Sequence, residues 1–582
     1  MQPSERMRKK QWVVRPPDQY AAQLAHSLKI PPLLAQVLIN REITDTQAGA
    51  RFLSPRLTEL IAPEQMPGIT RAVCRLKQAI EDKEKITIYG DYDVDGITGV
   101  SILWQVLRLL GAEVDYYIPH RIDEGYGLNA EAVRSLAESG SKVLVTVDCG
   151  IAAFTSGELA GQLGIDLIVT DHHQPESHLP QAIAVVHPAL EESYPNQDSA
   201  GAMVAFKLAW AIANEFNSGP RLEPTFREFM LNATSLAAIG TVADIVDLRG
   251  ENRVLTSYGL KALPVCKLCG IQALIESAGL TGQGLDSFHI GFRLAPMLNA
   301  AGRMGHARLA VELLTSQNMT RATQIAEYLR GQNSQRQLCE RRIFTQACEM
   351  IVERGWNQPD RMSIVLASKK WHGGVLGIVA SRIAETFYRP TIMISAPDKS
   401  GTAQGSARSI PGFCLRSAIQ ACCEHLVKFG GHKMAAGITI EPEKIDRFAA
   451  EFEAYAKKNL AQDDVVARLH IDAIAPLAEF RRDVVSQLQM LGPFGPGNPE
   501  PIFATRGVHL ASPPRRVGAK RDHLQLAITD HTGSVRCIGF GMGELEKKLL
   551  EREFFNVAYH PHINTYNGSS NVEFVLADIQ FE

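Results

Sequence analysis

Residues 86–96 read ITIYGDYDVDG, a short apolar run followed at once by three aspartates at alternate positions. The run from Ile86 to Tyr89 has the length and the β-branched composition of a buried strand. Alternate residues of an extended segment point to the same side, so Asp91, Asp93 and Asp95 share one side of the chain. Three carboxylates this close repel one another unless a cation lies among them. The stretch therefore predicts a strand that leads into a divalent-metal site.

A DxDxDG sequence also opens the calcium loop of an EF-hand, which needs a bidentate glutamate at its twelfth position and a helix on each side. Counted from Asp91, the twelfth position is Ile102, and the segment before the aspartates is a predicted strand. The calcium-loop interpretation is therefore disfavoured. A solvated acidic turn stays open as the alternative for this motif taken alone.

The same pattern recurs further along the chain. The stretch VLVTVDCGI places Asp148 after a predicted strand, and DLIVTDHHQP places Asp171, His172 and His173 after the next one. In open α/β sheets the ligand crevice lies outside the carboxyl ends of the strands, so these side chains should meet in space. An apolar helix ending in LAAIGTVAD adds Asp244, a carboxylate that needs a partner in such surroundings.

Several carboxylates with one or two imidazoles suit two hard divalent cations, Mn²⁺ or Mg²⁺, and imidazole slightly favours manganese. Two such ions about 3.5 to 4 Å apart can hold a bridging hydroxide and clamp a phosphate oxygen for in-line hydrolysis. The chain has neither a GxxxxGK[ST] loop nor an HExxH helix, which excludes the common nucleotide-binding loop and zinc-protease patterns. The predicted reaction is hydrolysis of a phosphoester or phosphoanhydride.

The length of 582 residues is more than one hydrophobic core usually serves and predicts three to four domains. Hydrophobic residues make up 45% and charged residues 21%, and a net charge of −3 indicates that any nucleic-acid surface is local. No apolar run approaches the ~20 residues of a membrane span, and the N-terminus lacks a secretory signal. We therefore expect a soluble cytoplasmic protein without a membrane partner.

The ten cysteines are scattered, a spacing that predicts reduced thiols rather than a disulfide framework. Cys266 and Cys269 form a CxxC, but a structural zinc site needs four ligands and no second pair accompanies them. Two thiols near a helix end are therefore favoured over zinc.

Strand and helix patterns divide the chain into regions. An N-terminal segment, 1–60, precedes alternating strand and helix patterns over 61–270, which predict a doubly wound parallel α/β domain. Amphipathic helices over 271–355 predict a helical connector. Strands return over 356–462 in a smaller α/β unit, and short strands separated by turn residues over 463–582 predict a β-barrel.

The smaller α/β unit carries the sequence GGHKMAAG, which predicts a flexible loop. Gly430 and Gly431 offer backbone N–H groups, while His432 and Lys433 add an imidazole and an ammonium, a combination suited to anionic oxygens. A glycine turn with an incidental lysine stays open as the alternative.

Two other segments of the same unit add candidate contacts to a phosphate or a base, His372 in WHGG and Arg408 in SARS. Trp371 either stacks on a base or fills the core. In the predicted barrel, PPRRVGAKR concentrates four cations on a predicted loop that suits a DNA strand, or else is simply solvated: Arg515, Arg516, Lys520 and Arg521.

Together and in this order, the motifs resemble the DHH phosphoesterase superfamily, whose name is the triplet at 171–173. The resemblance is closest to its single-stranded-DNA exonucleases, and DLRGENR, PMLNAAGRM, WHGGVLGIVASRI, GGHKMAAG and LGPFGPGNPEPIF extend it from about residue 60 to 580. It implies a DHH domain, a DHHA1 domain joined to it by a long helix, and a C-terminal OB-fold.

The resemblance also implies roles for residues. The implied metal ligands are Asp93, Asp95, Asp148, His172 and Asp244, with Asp91 and Asp171 as ligands or their supports. His173 would face the scissile phosphate, which makes His173, Asp171 and Asp148 the predicted catalytic residues. Ser406, Arg408 and the 430–437 loop would hold the nucleotide at the 5′ end. Tyr89 stands where pyrophosphatase branches often carry histidine, a departure that favours the nuclease branch.

The function implied by the resemblance is that of a metal-dependent exonuclease in DNA recombination and repair, which degrades single strands 5′ to 3′ and releases 5′-mononucleotides. Implied partners are a single-strand-binding protein and a helicase, and we expect a monomer. A phosphodiesterase for short oligonucleotides or cyclic dinucleotides is the alternative enzyme. A binding scaffold that has lost catalysis is disfavoured, because every expected ligand is present.

Overall fold

A computed structural model describes residues 10–120, 124–219, 221–303, 306–396, 401–566 and 569–581. The chain divides into two compact units. The central unit comprises residues 51–334 and 491–500, and the flanking unit comprises residues 1–50, 335–490 and 501–582.

The strands in the described residues are β1 (Gln11–Val14), β2 (Ile86–Gly90), β3 (Val114–Tyr117), β4 (Val143–Val147), β5 (Asp166–Thr170), β6 (Ala184–Val186), β7 (Ile364–Ser368), β8 (Thr391–Ser395), β9 (Ala403–Arg408), β10 (Leu426–Gly431), β11 (Ala435–Ile440), β12 (Arg468–Ile471), β13 (Ala473–Ile474), β14 (Phe503–Val517), β15 (His523–Thr529), β16 (Ser534–Gly539), β17 (Phe555–Tyr566) and β18 (Ser569–Gln580). The α-helices are α1 (Ala21–Leu28), α2 (Pro32–Asn40), α3 (Thr46–Leu53), α4 (Ile69–Glu81), α5 (Val94–Leu109), α6 (Ala130–Glu138), α7 (Phe154–Gln162), α8 (Gly201–Glu215), α9 (Pro224–Ala243), α10 (Gly250–Ala262), α11 (Cys269–Ser277), α12 (Ser287–His289), α13 (Ala295–Arg303), α14 (Ala307–Thr315), α15 (Met319–Glu353), α16 (Leu376–Phe387), α17 (Leu415–Ala421), α18 (Ile445–Asn459), α19 (Arg482–Leu488) and α20 (Leu545–Leu550).

A five-stranded parallel sheet in the order β3-β2-β4-β5-β6 lies at the middle of the central unit. Every residue of β2 and β4 is buried, because helices cover both faces of the sheet. One apolar cluster joins the sheet to α5, α8 and α9, and a second joins it to α6 and α7. The doubly wound parallel fold is therefore confirmed, and β2, β4 and β5 end side by side.

The helices that follow the sheet belong to the same core. Ile271, Leu313 and Leu329, on α11, α14 and α15, lie in the apolar cluster that covers one face of the sheet. The helix α15 then carries the chain into the flanking unit. The domain boundaries at 60, 270, 355 and 462 stay predictions.

The flanking unit contains a five-stranded mixed sheet in the order β10-β11-β9-β8-β7. Its predicted loop at 430–437 is wrong, since these residues form a β-hairpin in which Gly430 and Gly431 end β10. Gly431 adopts a φ of +138°, which favours glycine and lets the chain reverse into β11. The helix α17 ends at Ala421, and the first strand of the hairpin begins soon after it, at Leu426.

The C-terminal strands β14, β15, β16, β18 and β17 form a closed barrel, since β14 also pairs with β17. The loop prediction is wrong for Arg515 and Arg516, which lie on β14 and pair with β15, whereas Lys520 and Arg521 lie on the turn between the two strands. The register of β14 shifts between Ser512 and Arg515. Such a bulge accommodates the two prolines there, which would break a regular ladder.

Residues 10–14, where the described part of the chain begins, pack onto C-terminal strands within the flanking unit. Strand β1 pairs in parallel with β12. The indole N–H of Trp12 donates to Asp578 Oδ2 at 2.7 Å, and Lys10 Nζ donates to the carbonyl of Ala577 at 3.1 Å. The two ends of the chain therefore stabilise the same unit.

Among the described residues, no single helix has the length and apolar character to cross a bilayer; Gly250–Val265 and Cys269–Ser277 pass that test only as a pair bent by 83°. None of the ten cysteines, all of which the structure describes, forms a disulfide. Cys266 and Cys269 contact different partners, the side-chain oxygen of Asn232 and the carbonyl of Gln317.

Candidate metal centre

The strand ends of the central unit bring the predicted ligands together around His172. Its Nε2 atom lies 3.1 Å from Asp148 Oδ1, 3.6 Å from Asp244 Oδ2 and 3.8 Å from Asp95 Oδ2. Asp148 adopts a left-handed backbone with φ of +60°, which is unfavourable for a residue with a Cβ. Such strain is common where a side chain must point into a functional site.

Helix N-termini fix the aspartates of the first motif. Asp93 caps α5, and its Oδ1 accepts hydrogen bonds from the backbone N–H groups of Asp95 and Gly96 at 2.9 and 3.2 Å. The two carboxylate oxygens of Asp95 accept from the N–H groups of Gly201 and Ala202 at the start of α8, at 2.5 and 2.8 Å. Because a helix N-terminus attracts negative charge, α5 and α8 partly offset the repulsion among these carboxylates.

Two glycines allow the helices to approach the carboxylates this closely. A Cβ on Gly201 would lie 2.7 Å from Cβ of Asp148, and one on Gly240 would lie 2.8 Å from Asp95 Oδ1 and 2.4 Å from Cβ of Ala202. A side chain at either position would therefore displace a predicted ligand or separate α8 from α9.

Ligand atoms that lie within 4.8 Å of one another define three candidate metal-binding groups around the pocket. They are Asp91, Asp93 and Asp148; Asp95, His172 and Asp244; and Asp148, His172 and His173. Within the described residues, Asp148 Oδ1 and His172 Nε2 are buried, and although they lie 3.1 Å apart neither atom forms a hydrogen bond. Buried polar atoms are rarely left so, and the donor set of carboxylates with one imidazole fits Mn²⁺ or Mg²⁺.

Burial and mutual repulsion shift the protonation of the pocket. Burial, followed by the charge of Asp93, raises the pKa of Asp95 to about 7. Burial and the charge of Asp95 raise the pKa of Asp244 to about 9 and that of Asp148 well above its usual range. Burial and the neighbouring His173 lower the pKa of His172 to about 4, so its imidazole is neutral near pH 7, as metal coordination requires.

Asp171 is held differently from the other aspartates. Its Oδ1 accepts from the N–H groups of His172 and His173 and lies 2.8 Å from His173 Nδ1, while Oδ2 accepts from the N–H of Ile151. Burial opposes ionisation of Asp171, but these bonds and the charge of His173 outweigh it and lower its pKa. Asp171 therefore orients His173, a geometry typical of a support for a ligand or catalytic histidine.

Tyr126 is a residue that the sequence reasoning missed. Its hydroxyl lies 3.0 Å from His173 Nδ1 and donates to the carbonyl of Asp148 at 3.2 Å. Tyr89 supports this loop from the sheet, because its hydroxyl donates to the carbonyl of Gly127 at 2.9 Å. Tyr126 lies nine residues after the end of β3, between two glycines, so the strand-end rule did not identify it.

Comparison with known proteins matches three family models: "DHH family, N-terminal domain" over residues 85–234, "DHHA1 domain" over 361–458 and "RecJ OB domain" over 471–578. The single-stranded-DNA-specific exonuclease RecJ of Bacillus subtilis (strain 168) is 36% identical over 572 residues, which cover 98% of this chain and 71% of that protein. The chain belongs to the RecJ family.

Solved RecJ structures agree with this assignment. The crystal structure of RecJ in complex with Mn²⁺ from Thermus thermophilus matches with a TM-score of 0.83 and 31% identity, covering 98% of this chain and 80% of that one. A Mg²⁺ complex of RecJ from the same organism matches with a TM-score of 0.77 and 29% identity, covering 98% and 78%. The resemblance to the DHH superfamily and the predicted DHH, DHHA1 and OB architecture are thus confirmed.

The five-stranded mixed sheet of the flanking unit, called the DHHA1 sheet below, carries most of the residues predicted to hold the nucleotide at the 5′ end. In the pairing of β9 with β11, Ser406 lies opposite Gly437 and Arg408 opposite Ala435. The Arg408 guanidinium donates to Ser406 Oγ at 3.3 Å. Lys433 lies on the adjoining hairpin turn, where its carbonyl accepts from the N–H of Leu415 at 2.9 Å.

The remaining predicted residues of the DHHA1 domain lie at its surface. His432 is exposed on the hairpin turn, and Gly430 and Gly431 precede it. His372 is exposed as well, and its Nδ1 accepts from the N–H of Gly374 at the turn that leads into α16. Trp371, by contrast, is buried, so it fills the core instead of stacking on a base.

The barrel cations of this RecJ-family chain differ in their availability. Arg515, Lys520 and Arg521 are exposed. Arg516 is half-buried and forms an ion pair with Glu546 at 2.9 Å. The four cations are therefore not equally available to bind a phosphate.

Proposed function

We propose that this chain is a metal-dependent exonuclease that degrades single-stranded DNA 5′ to 3′, releases 5′-mononucleotides and acts in DNA recombination and repair. The observation that carries the proposal is the convergence of strand-end carboxylates with His172 in one pocket of a RecJ-family DHH fold. The RecJ relatives are themselves single-stranded-DNA-specific exonucleases.

In this proposal two divalent cations, Mn²⁺ or Mg²⁺, would each be held by one of two groups of ligands that share no residue. Asp91, Asp93 and Asp148 would hold one cation. The second would be held by Asp95, His172 and Asp244. Cations bound there would supply a hydroxide nucleophile and would neutralise charge on the scissile phosphate. The helix N-termini that hold Asp93 and Asp95 keep the ligands in place before the metal binds.

His173 lies at the edge of this pocket and is the residue best placed to meet the scissile phosphate. Asp171 fixes its ring, and this contact outweighs burial and raises the pKa of His173. An imidazole N–H held in this way can donate a hydrogen bond to a phosphate oxygen. In this proposal Asp171 orients His173, and Asp148 would hold a cation.

The 5′ end of the strand would be held on the DHHA1 sheet, and the strand would continue along the barrel. Ser406 and Arg408 form a polar pair, and the hairpin beside it offers backbone N–H groups and cations. The residues proposed to contact this end are His372, Ser406, Arg408, Gly430, Gly431, His432 and Lys433. Arg515, Arg516, Lys520 and Arg521 would contact phosphates further along the strand.

A nuclease that requires unpaired DNA depends on strands that have already been separated. A helicase and a single-strand-binding protein are the classes of partner that supply and protect such strands. We therefore propose these partners, a monomeric enzyme and a cytoplasmic location.

The direct test uses the purified protein with Mn²⁺ on single strands labelled at either end. We expect the 5′ label to be released at once as a mononucleotide, while the 3′ label moves through progressively shorter strands. Blunt duplex should resist. Release of the 3′ label first, or equal cleavage of duplex, would contradict the proposal, and activity confined to dinucleotides would favour the phosphodiesterase alternative.

A further inference from the structure

Two phenylalanines stand exposed on the central unit, outside the metal-binding residues. Phe288 and Phe292 have 59% and 67% of their surface exposed, and their rings stack with centroids 4.7 Å apart at an angle of 26°. Large aromatic side chains are usually buried, so a stacked pair left in solvent marks a binding surface.

The segment that carries this pair is firmly anchored. Phe292 lies on a π-helical segment, Ile290–Leu294, whose end residues Ile290 and Leu294 are fully buried. Asp286 caps the preceding turn, and Ser287 Oγ donates to the carbonyl of Phe494. The exposure of the rings is therefore a fixed feature of the fold, and π-helical turns of this kind are frequent at functional sites.

The pair lies beside the end of α9, which supplies Asp244. A Cβ on Gly291, between the two phenylalanines, would lie 4.0 Å from Cγ1 of Val242, and Val242 is two residues before Asp244. Ile245, the residue after Asp244, is 70% exposed and has a left-handed φ of +67°. That conformation is unfavourable for a β-branched residue and indicates a functional constraint. An exposed apolar surface thus continues directly from a predicted metal ligand.

We propose that Phe288 and Phe292 stack on unpaired bases of the DNA strand whose phosphodiester lies at the metal centre. The inference rests on the proposed nuclease function and states which side chains bind the bases of the strand. Aromatic faces bind bases of any sequence, as an exonuclease requires. Arg293 follows Phe292 with its side chain exposed, and one N–H donates to the carbonyl of Ala278 at 2.6 Å. Its remaining donors face a phosphate of the same strand.

This contact also selects single strands. In a duplex each base is stacked between its neighbours and paired with the other strand, so its face is not available to a side chain. A stacking surface next to the metal centre therefore discriminates against duplex at the point of cleavage.

The test measures binding of a 12-nucleotide single strand with nuclease-resistant phosphorothioate linkages to the full-length protein. A Phe288→Ala/Phe292→Ala variant should bind about tenfold or more weakly, the effect expected from losing base stacking. Phe292→Tyr should retain most of the affinity, whereas Phe292→Leu, which keeps an apolar side chain without a ring, should bind more weakly than Phe292→Tyr. Leu231→Ala removes another exposed apolar side chain, 52% exposed, from α9 at about 20 Å from Asp244, and should leave the affinity for the strand unchanged.

A second strand series distinguishes stacking from other causes. Three adjacent abasic sites are moved along the oligonucleotide, and at one position wild type and double variant should bind equally, because the bases that the rings contact are missing. An equal loss at every position, or no loss with intact DNA, would overturn the inference, and the former would assign the pair to stability or a protein partner. If the wild type does not bind or degrade single strands at all, the proposed function itself fails.

Discussion

The metal pocket of the central unit is buried, whereas the cationic cluster on the DHHA1 sheet is open to solvent. In the pocket, Asp95, Asp148 and Asp171 are almost wholly buried. Asp95 and Asp171 accept hydrogen bonds from backbone N–H groups, and Asp148 faces His172. On the DHHA1 sheet, His432 and Lys433 are exposed. Buried like charges need a compensating cation, so the pocket's chemistry follows from its geometry. Exposed cations need no partner, and their role depends on a ligand.

The largest expected effect comes from Asp148→Asn. Asparagine tolerates the left-handed backbone and keeps the shape, so only the charge that binds metal is lost. Nuclease activity should fall by about three orders of magnitude. Circular dichroism should show an unchanged fold, because removing one of several repelling carboxylates relieves repulsion. Asp115→Asn on the exposed edge of β3 is the matched control, and a similar loss there would contradict the assignment.

A smaller effect is expected from Asp171→Asn, which weakens the contact that orients His173. We expect kcat to fall about 10- to 100-fold, as for other residues that orient a catalytic or ligating group. The KM for single-stranded DNA should stay nearly constant, because Asp171 is buried and does not touch substrate. A change in KM alone would show that Asp171 acts on binding.

Arg408→Ala tests whether the solvent-exposed cluster on the DHHA1 sheet recognises the phosphate at the 5′ end of the strand. Losing one charged contact to the 5′-phosphate should reduce the preference for 5′-phosphorylated over 5′-hydroxyl strands about tenfold. Rates on 5′-hydroxyl strands serve as the internal control. An equal loss on both substrates would place Arg408 outside the recognition of the 5′ end.

The smallest expected effect is a difference in DNA binding between substitutions of two neighbouring barrel cations, Arg515 and Arg516. Arg515 is exposed, whereas Arg516 already pairs with Glu546, so Arg515→Ala should weaken single-strand binding more than Arg516→Ala. The slope of log affinity against log salt should fall by about 0.7 for Arg515→Ala if one phosphate contact is lost. Equal slopes for wild type and both variants would remove these residues from the strand-binding surface.

The sequence predicted the pocket well because strand-end position and charge are local properties. Asp148 and Asp171 directly follow the strands β4 and β5, as predicted, and these strands are parallel neighbours, which brings Asp148 close to His172. The loop predictions at 430–437 and at Arg515 fail because long-range pairing overrides glycine and proline signals. Sequence patterns do not encode a bulge that two prolines can occupy.

Tyr126 and the exposed phenylalanine pair illustrate another limit of the sequence. A single tyrosine between two glycines has no periodic pattern, and its contact with His173 joins residues 47 positions apart in the chain. Phe288 and Phe292 are spaced like buried helical residues, so only the structure reveals that their rings face solvent. Exposure of an apolar residue cannot be inferred from spacing alone.

The central claim is that the DHH pocket holds two cations, and Mn²⁺ anomalous diffraction from crystals of the protein tests it most directly. We predict two anomalous peaks about 3.5 to 4 Å apart, one beside Asp91 and Asp93 and the other beside His172 and Asp244, with Asp148 in contact with the first. The absence of any peak among these side chains, in crystals soaked at saturating Mn²⁺, would contradict the account.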